Sequence, residues 1–111
     1  MLNRYIIERK IPGVGEGSKQ DFINMAEKSN KVLTSLGPKI QWVQSFVTED
    51  KVYCEYLAEN ESVVREHAKL GGFPADSIAK VNHVCDPTTA NEDFDVLKEG
   101  KPSKYEETLH S

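Results

Sequence analysis

The chain has 111 residues, a formal net charge of −4 and a composition that is ordinary for one globular domain. This charge balance disfavours binding to nucleic acid, because phosphate recognition normally requires a basic patch. No apolar run reaches the roughly 20 residues that span a bilayer, and Arg4 and Glu8 interrupt the apolar stretch where a signal peptide would need its core. We therefore expect a cytoplasmic protein with neither a nucleic-acid nor a membrane partner.

The first part of the chain predicts a strand followed by a helix. Residues 4–9 combine β-branched and aromatic side chains in short alternation, which is typical of a strand. Ser18 is a good helix N-cap, with Asp21 three residues later as a short form of the capping box. Gly37 and Pro38 end the helix. Its buried stripe is predicted to comprise Phe22, Met25, Ala26, Ser29, Val32, Leu33 and Leu36.

A β-hairpin is expected next, and a last strand after the second helix. Residues 39–49 and 52–57 are rich in β-branched and aromatic side chains and are separated by a short polar turn. Residues 78–85 predict the last strand, which Pro87 ends because proline cannot donate to a sheet. In a sheet of strand order 4-1-3-2, one strand lies between those of Cys54 and Cys85. Their Cα atoms would then be about 9–10 Å apart, too far for a disulfide. We therefore expect two free, buried thiols.

The second helix, which is predicted to begin after Asn60, carries the most informative polar side chain, that of His67. Asn60 is a favourable N-cap, Gly71 or Gly72 can adopt the left-handed conformation that ends a helix, and Pro74 prevents its continuation. A histidine in an apolar stripe needs a partner for each ring nitrogen, because burying an unpaired polar group costs stability. The stripe of this helix is predicted to comprise Val63, Val64, His67, Ala68 and Gly71.

The order strand, helix, strand, strand, helix, strand is that of the ferredoxin-like α+β fold, βαββαβ. It predicts a four-stranded antiparallel sheet in the order 4-1-3-2, with both helices on one face. An exposed apolar sheet face usually marks an interface. We therefore expect a homodimer through the open sheet face, a dimeric α+β barrel. The aromatic side chains expected on the two sides of the sheet are Trp42, Phe46, Tyr53 and Tyr56.

The last residues of the chain differ in character from the rest. We assign residues 1–90 to the ferredoxin-like domain and residues 91–111 to an acidic C-terminal tail. The tail contains six acidic residues and three lysines. The tail is expected to contact the partner subunit or to be disordered.

Several phrases of the sequence resemble a small bacterial family of unknown function that is sometimes labelled nickel-binding. The resemblance covers roughly residues 3–92 and implies the ferredoxin-like fold of the dimeric α+β barrels. The matching phrases are Tyr5-Ile6-Ile7-Glu8-Arg9, Ile11-Pro12-Gly13, Leu36-Gly37-Pro38, Ile40-Gln41-Trp42-Val43, residues 45–47, Asp50-Lys51-Val52-Tyr53-Cys54, Arg65-Glu66-His67-Ala68, residues 71–76 and Asp86-Pro87-Thr88-Thr89-Ala90.

Three functions are compatible with these residues. The first function is the binding of a transition metal. Nickel or zinc favours imidazole with thiolate or carboxylate ligands, and Cys54, Glu55 and His83 lie on predicted strands that could approach His67. Strand alternation allows either Cys54 or Glu55 on that face, never both. The competing interpretation is a structural histidine bonded to a carbonyl or carboxylate.

The second function is that of a cofactor-free oxygenase or isomerase acting on a small apolar substrate, which rests on analogy with dimeric barrels of this architecture. His67 would then be the general base, with Tyr5, Trp42 and Tyr53 lining the pocket. The third is a binding or structural module whose barrel interior or tail recognises a partner.

Overall fold

The structure, a computed structural model, describes residues 1–92, which form four strands and two α-helices in the predicted order. Short 3₁₀ turns lie at Val14–Glu16, Gly37–Lys39 and Pro87–Glu92. The main elements are β1 (Asn3–Lys10), α1 (Lys19–Leu36), β2 (Ile40–Val47), β3 (Lys51–Ala58), α2 (Glu61–Gly71) and β4 (Ser77–Lys80).

The four strands make one antiparallel sheet in the order β2-β3-β1-β4. This is the predicted order 4-1-3-2 read from the other edge, so the ferredoxin-like α+β fold is confirmed. Both inner strands bury alternate residues, as expected of a sheet with one face covered by helices. The side chains of the covered face include Tyr5, Ile7 and Cys54.

The boundaries of α1 are set by the predicted local signals. The Ser18 hydroxyl accepts a hydrogen bond from the Asp21 amide, and the Asp21 carboxylate accepts one from the Ser18 amide, which completes a capping box. Gly37 follows the helix with a φ of 72°, a backbone conformation that favours glycine. The helix is therefore fixed at both ends before it packs on the sheet.

Helix α2 also begins and ends where the sequence indicates. The Asn60 side chain accepts a hydrogen bond from the Val63 amide at the N-terminus, and Gly72 ends the helix with a φ of 68°. His67 is 0% exposed. The stripe of five buried residues in α2 is the one predicted: Val63, Val64, His67, Ala68 and Gly71.

The last strand is shorter than predicted, which corrects the placement of two residues. Strand β4 ends at Lys80, and one further backbone hydrogen bond joins the Val81 amide to the Arg4 carbonyl. Continued in this register, His83 would lie opposite Leu2, which precedes the first residue of β1, Asn3. His83 and Cys85 therefore lie beyond the sheet and are exposed, so the prediction of a second buried thiol is wrong.

The acidic tail assigned to residues 91–111 lies outside the described residues except for its first two positions. Across residues 1–92, no helix combines the length and apolar character needed to cross a membrane.

Candidate functional site

A buried arginine lies at the centre of the candidate site. Arg9 is only 3% exposed, on the helix-covered face of β1. Its Nε donates to the Cys54 Sγ at 3.4 Å, its Nη1 to the Pro74 carbonyl at 2.6 Å and its Nη2 to the Tyr56 hydroxyl at 3.5 Å. The guanidinium also lies 5.3 Å from the centre of the Phe73 ring, within cation–π range. None of these contacts is to a carboxylate.

His67 packs beside this cluster. Its Nε2 lies 3.1 Å from the Ser29 hydroxyl, while its Nδ1 is buried without a hydrogen-bond partner among the described residues. The ring stacks on Phe73 at 5.7 Å and is tilted against Tyr56 at 5.0 Å. Burial, with the positive charge of Arg9 acting in the same direction, lowers the pKa of His67 to about 4. The imidazole is therefore neutral at pH 7.

The Tyr56 phenol completes the polar side of the cluster. Burial raises the pKa of Tyr56 above its ordinary value, and the neighbouring Cys54 acts in the same direction while Arg9 opposes it. The phenol consequently keeps its proton near neutral pH. It can accept the hydrogen bond from Arg9 and still donate its own proton to another group.

A cavity of about 190 Å³ opens between α1 and the covered face of the sheet. The polar groups of Arg9, Ser29, Cys54 and Tyr56 meet on one part of its wall, and apolar side chains make up most of the rest. The lining residues are Arg9, Phe22, Met25, Ala26, Ser29, Trp42, Ser45, Val47, Val52, Cys54, Tyr56 and Phe73.

A β-bulge in β2 shapes the outer wall of this cavity. The pairing of β2 with β3 shifts between Trp42 and Gln44, so that Trp42 lies opposite Tyr56 and Ser45 opposite Cys54. The extra residue brings both Trp42 and Ser45 to the covered face, although regular alternation would separate them. The Trp42 Nε1 then donates to the Ser45 hydroxyl at 2.9 Å, which fixes the indole in the wall.

The structure separates the four predicted metal ligands. Cys54 lies on the covered face of β3, whereas Glu55 lies on the open face, where it pairs with Arg4 and accepts from Gln44. His83 is exposed beyond β4. Only Cys54 and His67 therefore share the helix side of the sheet, and residues 1–92 contain no group of three or more His, Cys, Asp or Glu side chains arranged to hold a metal ion.

The three predicted pocket aromatics are also separated. Trp42 lines the cavity. Tyr5 is buried on the covered face but belongs to the closed core further along β1, and Tyr53 is on the open face because it alternates with Val52 and Cys54. This corrects the prediction of one pocket lined by Tyr5, Trp42 and Tyr53.

Arg9 and Ser29 belong to the candidate site but were not among the predicted site residues. The signal for Arg9 was present, because Tyr5, Ile7 and Arg9 alternate with period two and share one strand face. An arginine at the end of such a series is ordinarily assigned to solvent, since Arg is almost never fully buried unless paired. Ser29 was placed correctly in the helix stripe, but its contact with His67 depends on how α1 and α2 pack.

The fold and cavity define a ferredoxin-like α+β protein with a partly polar cavity between its helices and its sheet. A sequence model of the family described as nickel responsive protein SCO4226-like matches residues 5–81, and the chain belongs to this family.

Comparison with solved structures supports the same fold. The crystal structure of SCO4226 from Streptomyces coelicolor A3(2) matches with a TM-score of 0.63 at 13% identity, covering 74% of this chain and 99% of that one. A candidate transposase from Deinococcus radiodurans R1 is 11% identical, with 93% and 94% of the two chains covered and a TM-score of 0.46, which is too low to support an argument. No curated protein sequence matches the chain significantly.

Proposed function

We propose that this protein binds a small, largely apolar organic molecule in the cavity between α1 and the sheet. The observation that carries the proposal is the cavity itself, about 190 Å³ with mostly apolar walls and polar groups gathered on one part. Ligand sites are typically concave and apolar, with a few convergent polar groups that fix orientation.

The volume of the cavity suits a ligand of about one ring. An apolar cavity of about 150 Å³ holds benzene. The volume of about 190 Å³ therefore suits a benzene-sized body with one additional small group. Transfer of such a body from water is favourable at roughly 25 cal/mol for each Å² of apolar surface that is buried.

Trp42 offers a direct test, because it is the one tryptophan of the chain and lines the cavity. Toluene, a neutral apolar probe, is expected to change the Trp42 fluorescence saturably and to shift the amide resonances of cavity residues in NMR spectra. Ala26→Phe adds a ring inside the cavity wall and should abolish the response. Asn30→Phe adds the same ring at an exposed position of the same helix and should leave it intact.

A saturable response that persists in Ala26→Phe would place toluene elsewhere and contradict the proposal. No response from the folded parent protein, by either fluorescence or NMR, would also contradict it.

The family name suggests nickel as an alternative candidate ligand. Cys54 and His67 are donors of the type that nickel favours, and the His67 Nδ1 lacks a partner among residues 1–92. However, Arg9 donates to the same sulfur, so a cation there would meet a fixed positive charge at close range. The described residues do not fit a resident nickel ion. Stoichiometric heat on Ni²⁺ titration that is lost in Cys54→Ser would reverse this ranking.

Catalysis of the cofactor-free type is the remaining candidate. One observation favours it, because the Ser29 hydroxyl lines the cavity and lies 3.1 Å from the His67 Nε2. A base with a pKa of about 4 accepts protons poorly at neutral pH, and within residues 1–92 no group orients the imidazole through Nδ1. The site is therefore better suited to binding than to proton transfer.

We further propose that two copies associate through the open sheet face. Phe46 is 57% exposed there, next to Tyr53 on the paired strand. Ion pairs between Arg4 and Glu55 and between Lys51 and Glu8 cross the same face and leave no net charge among these four residues. A neutral face with exposed aromatic surface is suited to a self-complementary interface.

Sedimentation of the full chain tests this association. Phe46→Glu is expected to weaken dimerisation at least about tenfold, because it buries an unpaired charge in the proposed interface. Leu70→Glu is the matched control: Leu70 is 56% exposed but lies on α2, at the other face of the domain. A parent protein that sediments as a monomer at high micromolar concentration would contradict the proposal.

A further inference from the structure

We propose that the cavity is selective for monoanions, and that Arg9 binds the carboxylate of a small carboxylic acid whose apolar body fills the remaining space. This inference rests on the proposed function, because it names the class of ligand that the same cavity takes.

The positive charge of Arg9 is not balanced by a nearby acidic residue among residues 1–92. No Asp or Glu among the described residues lies within ion-pair distance of its guanidinium, and no acidic residue lines the cavity. A buried charge is costly unless it is paired, and buried arginines normally meet a carboxylate or phosphate. The three acceptors that Arg9 does have are a cysteine sulfur, a backbone carbonyl and a phenol, none of which is a carboxylate.

The guanidinium of Arg9 has more N–H donors than its hydrogen bonds to the described residues use. A guanidinium carries five N–H groups in a planar fork, and the three hydrogen bonds to protein atoms use three of them. Two N–H groups therefore remain on a side chain that lines the cavity. Two donors in a fixed plane match the two oxygens of a carboxylate.

The groups near Arg9 also favour an anion over a cation. The Tyr56 phenol keeps its proton and can donate to a ligand oxygen, and the Ser29 hydroxyl can do the same. Lys28 adds a second positive charge nearby, with its Nζ 5.4 Å from the centre of the Phe73 ring. An anion would therefore meet donors and positive charge, whereas a cation would meet Arg9.

Benzoate and benzamide provide a matched pair of probes for the unmodified protein. They have nearly the same shape, and only benzoate is an anion at pH 7. We expect benzoate to bind at least about tenfold more tightly than benzamide, since hydrogen bonds to charged groups are stronger than those between neutral ones. The titration is followed by Trp42 fluorescence and by calorimetry, and the preference should shrink as salt is added. Equal affinity for the two probes would overturn the inference.

Variants of Arg9 assign the preference to this side chain. Arg9→Gln should remove the benzoate preference and leave benzamide affinity within about twofold, while Arg9→Lys should retain part of it because the charge remains but the fork is lost. Arg65→Gln is the control, since Arg65 is an exposed arginine paired with Glu61 on α2 and should have no effect. Preserved benzoate preference in folded Arg9→Gln would also overturn the inference.

The two proposals fail in different ways. Toluene binding without a preference for benzoate over benzamide leaves the proposed function intact and removes anion recognition. If toluene, benzamide and benzoate all fail to bind, the cavity is not a binding site and both proposals are wrong. If Arg9→Gln does not fold, the comparison of benzoate with benzamide in the parent protein still decides the question.

Discussion

Lowering the pH from 7 to 5 is expected to reduce the free energy of unfolding by about 2 kcal/mol through His67 alone. The pKa of His67 is about 4 in the folded chain, against about 6.5 in an unfolded one. Between these values the unfolded chain binds a proton that the folded chain excludes, so stability is present above pH 6.5 and is lost as the pH falls. The loss levels off near pH 4 at about 3 kcal/mol.

Urea unfolding at a series of pH values measures this effect. His67→Gln, which removes the titrating ring but can still hydrogen bond with Ser29, should remove about 2 kcal/mol of the difference between pH 7 and pH 5. His83→Gln is the matched control, because His83 is exposed beyond β4 and its loss should leave the pH dependence unchanged. A His67 ring that titrates near 6.5 in NMR spectra of the folded protein would contradict the prediction.

The fold was predictable because its signals are local. Ser18 and Asp21 form their capping box within one turn of chain, and Asn60 caps α2 in the same way. Amphipathic spacing in α2 placed His67 in the core without any knowledge of what covers it. Each of these signals depends on residues within a few positions of one another. The strand order then follows from the sequence of elements, because two βαβ halves joined by a hairpin have few ways to pair.

The site was less predictable because it depends on pairing between distant residues. Alternation in β3 allows either Cys54 or Glu55 to face the helices. The pairing of β3 within the sheet places Cys54 on that face and Glu55 on the other. The length of β4 depends on where β1 begins, so the exposure of His83 follows from residues about 80 positions earlier. The bulge that turns Trp42 and Ser45 to one face contains no glycine or proline from which it could have been predicted.

Gly71→Ala is expected to lower the free energy of unfolding by about 2 kcal/mol and to weaken toluene binding. A Cβ at Gly71 would overlap the Phe73 ring, with the Cδ2 atom only 2.5 Å away. That ring stacks on His67, lies beside Arg9 and lines the cavity, so it cannot move without changing the candidate site. Alanine is intrinsically better than glycine in a helix by about 1 kcal/mol, and the overlap must exceed this gain.

A double-mutant cycle separates the two effects. In a Phe73→Ala background the overlap is absent, so Gly71→Ala should become neutral or stabilising by up to about 1 kcal/mol. The interaction between the two positions would then measure how firmly Phe73 is held by His67 and Arg9. A single Gly71→Ala variant as stable as the parent, with toluene binding unchanged, would mean that the ring moves freely. In that case Phe73 would not be the fixed support that connects the helix end to the charged wall of the cavity.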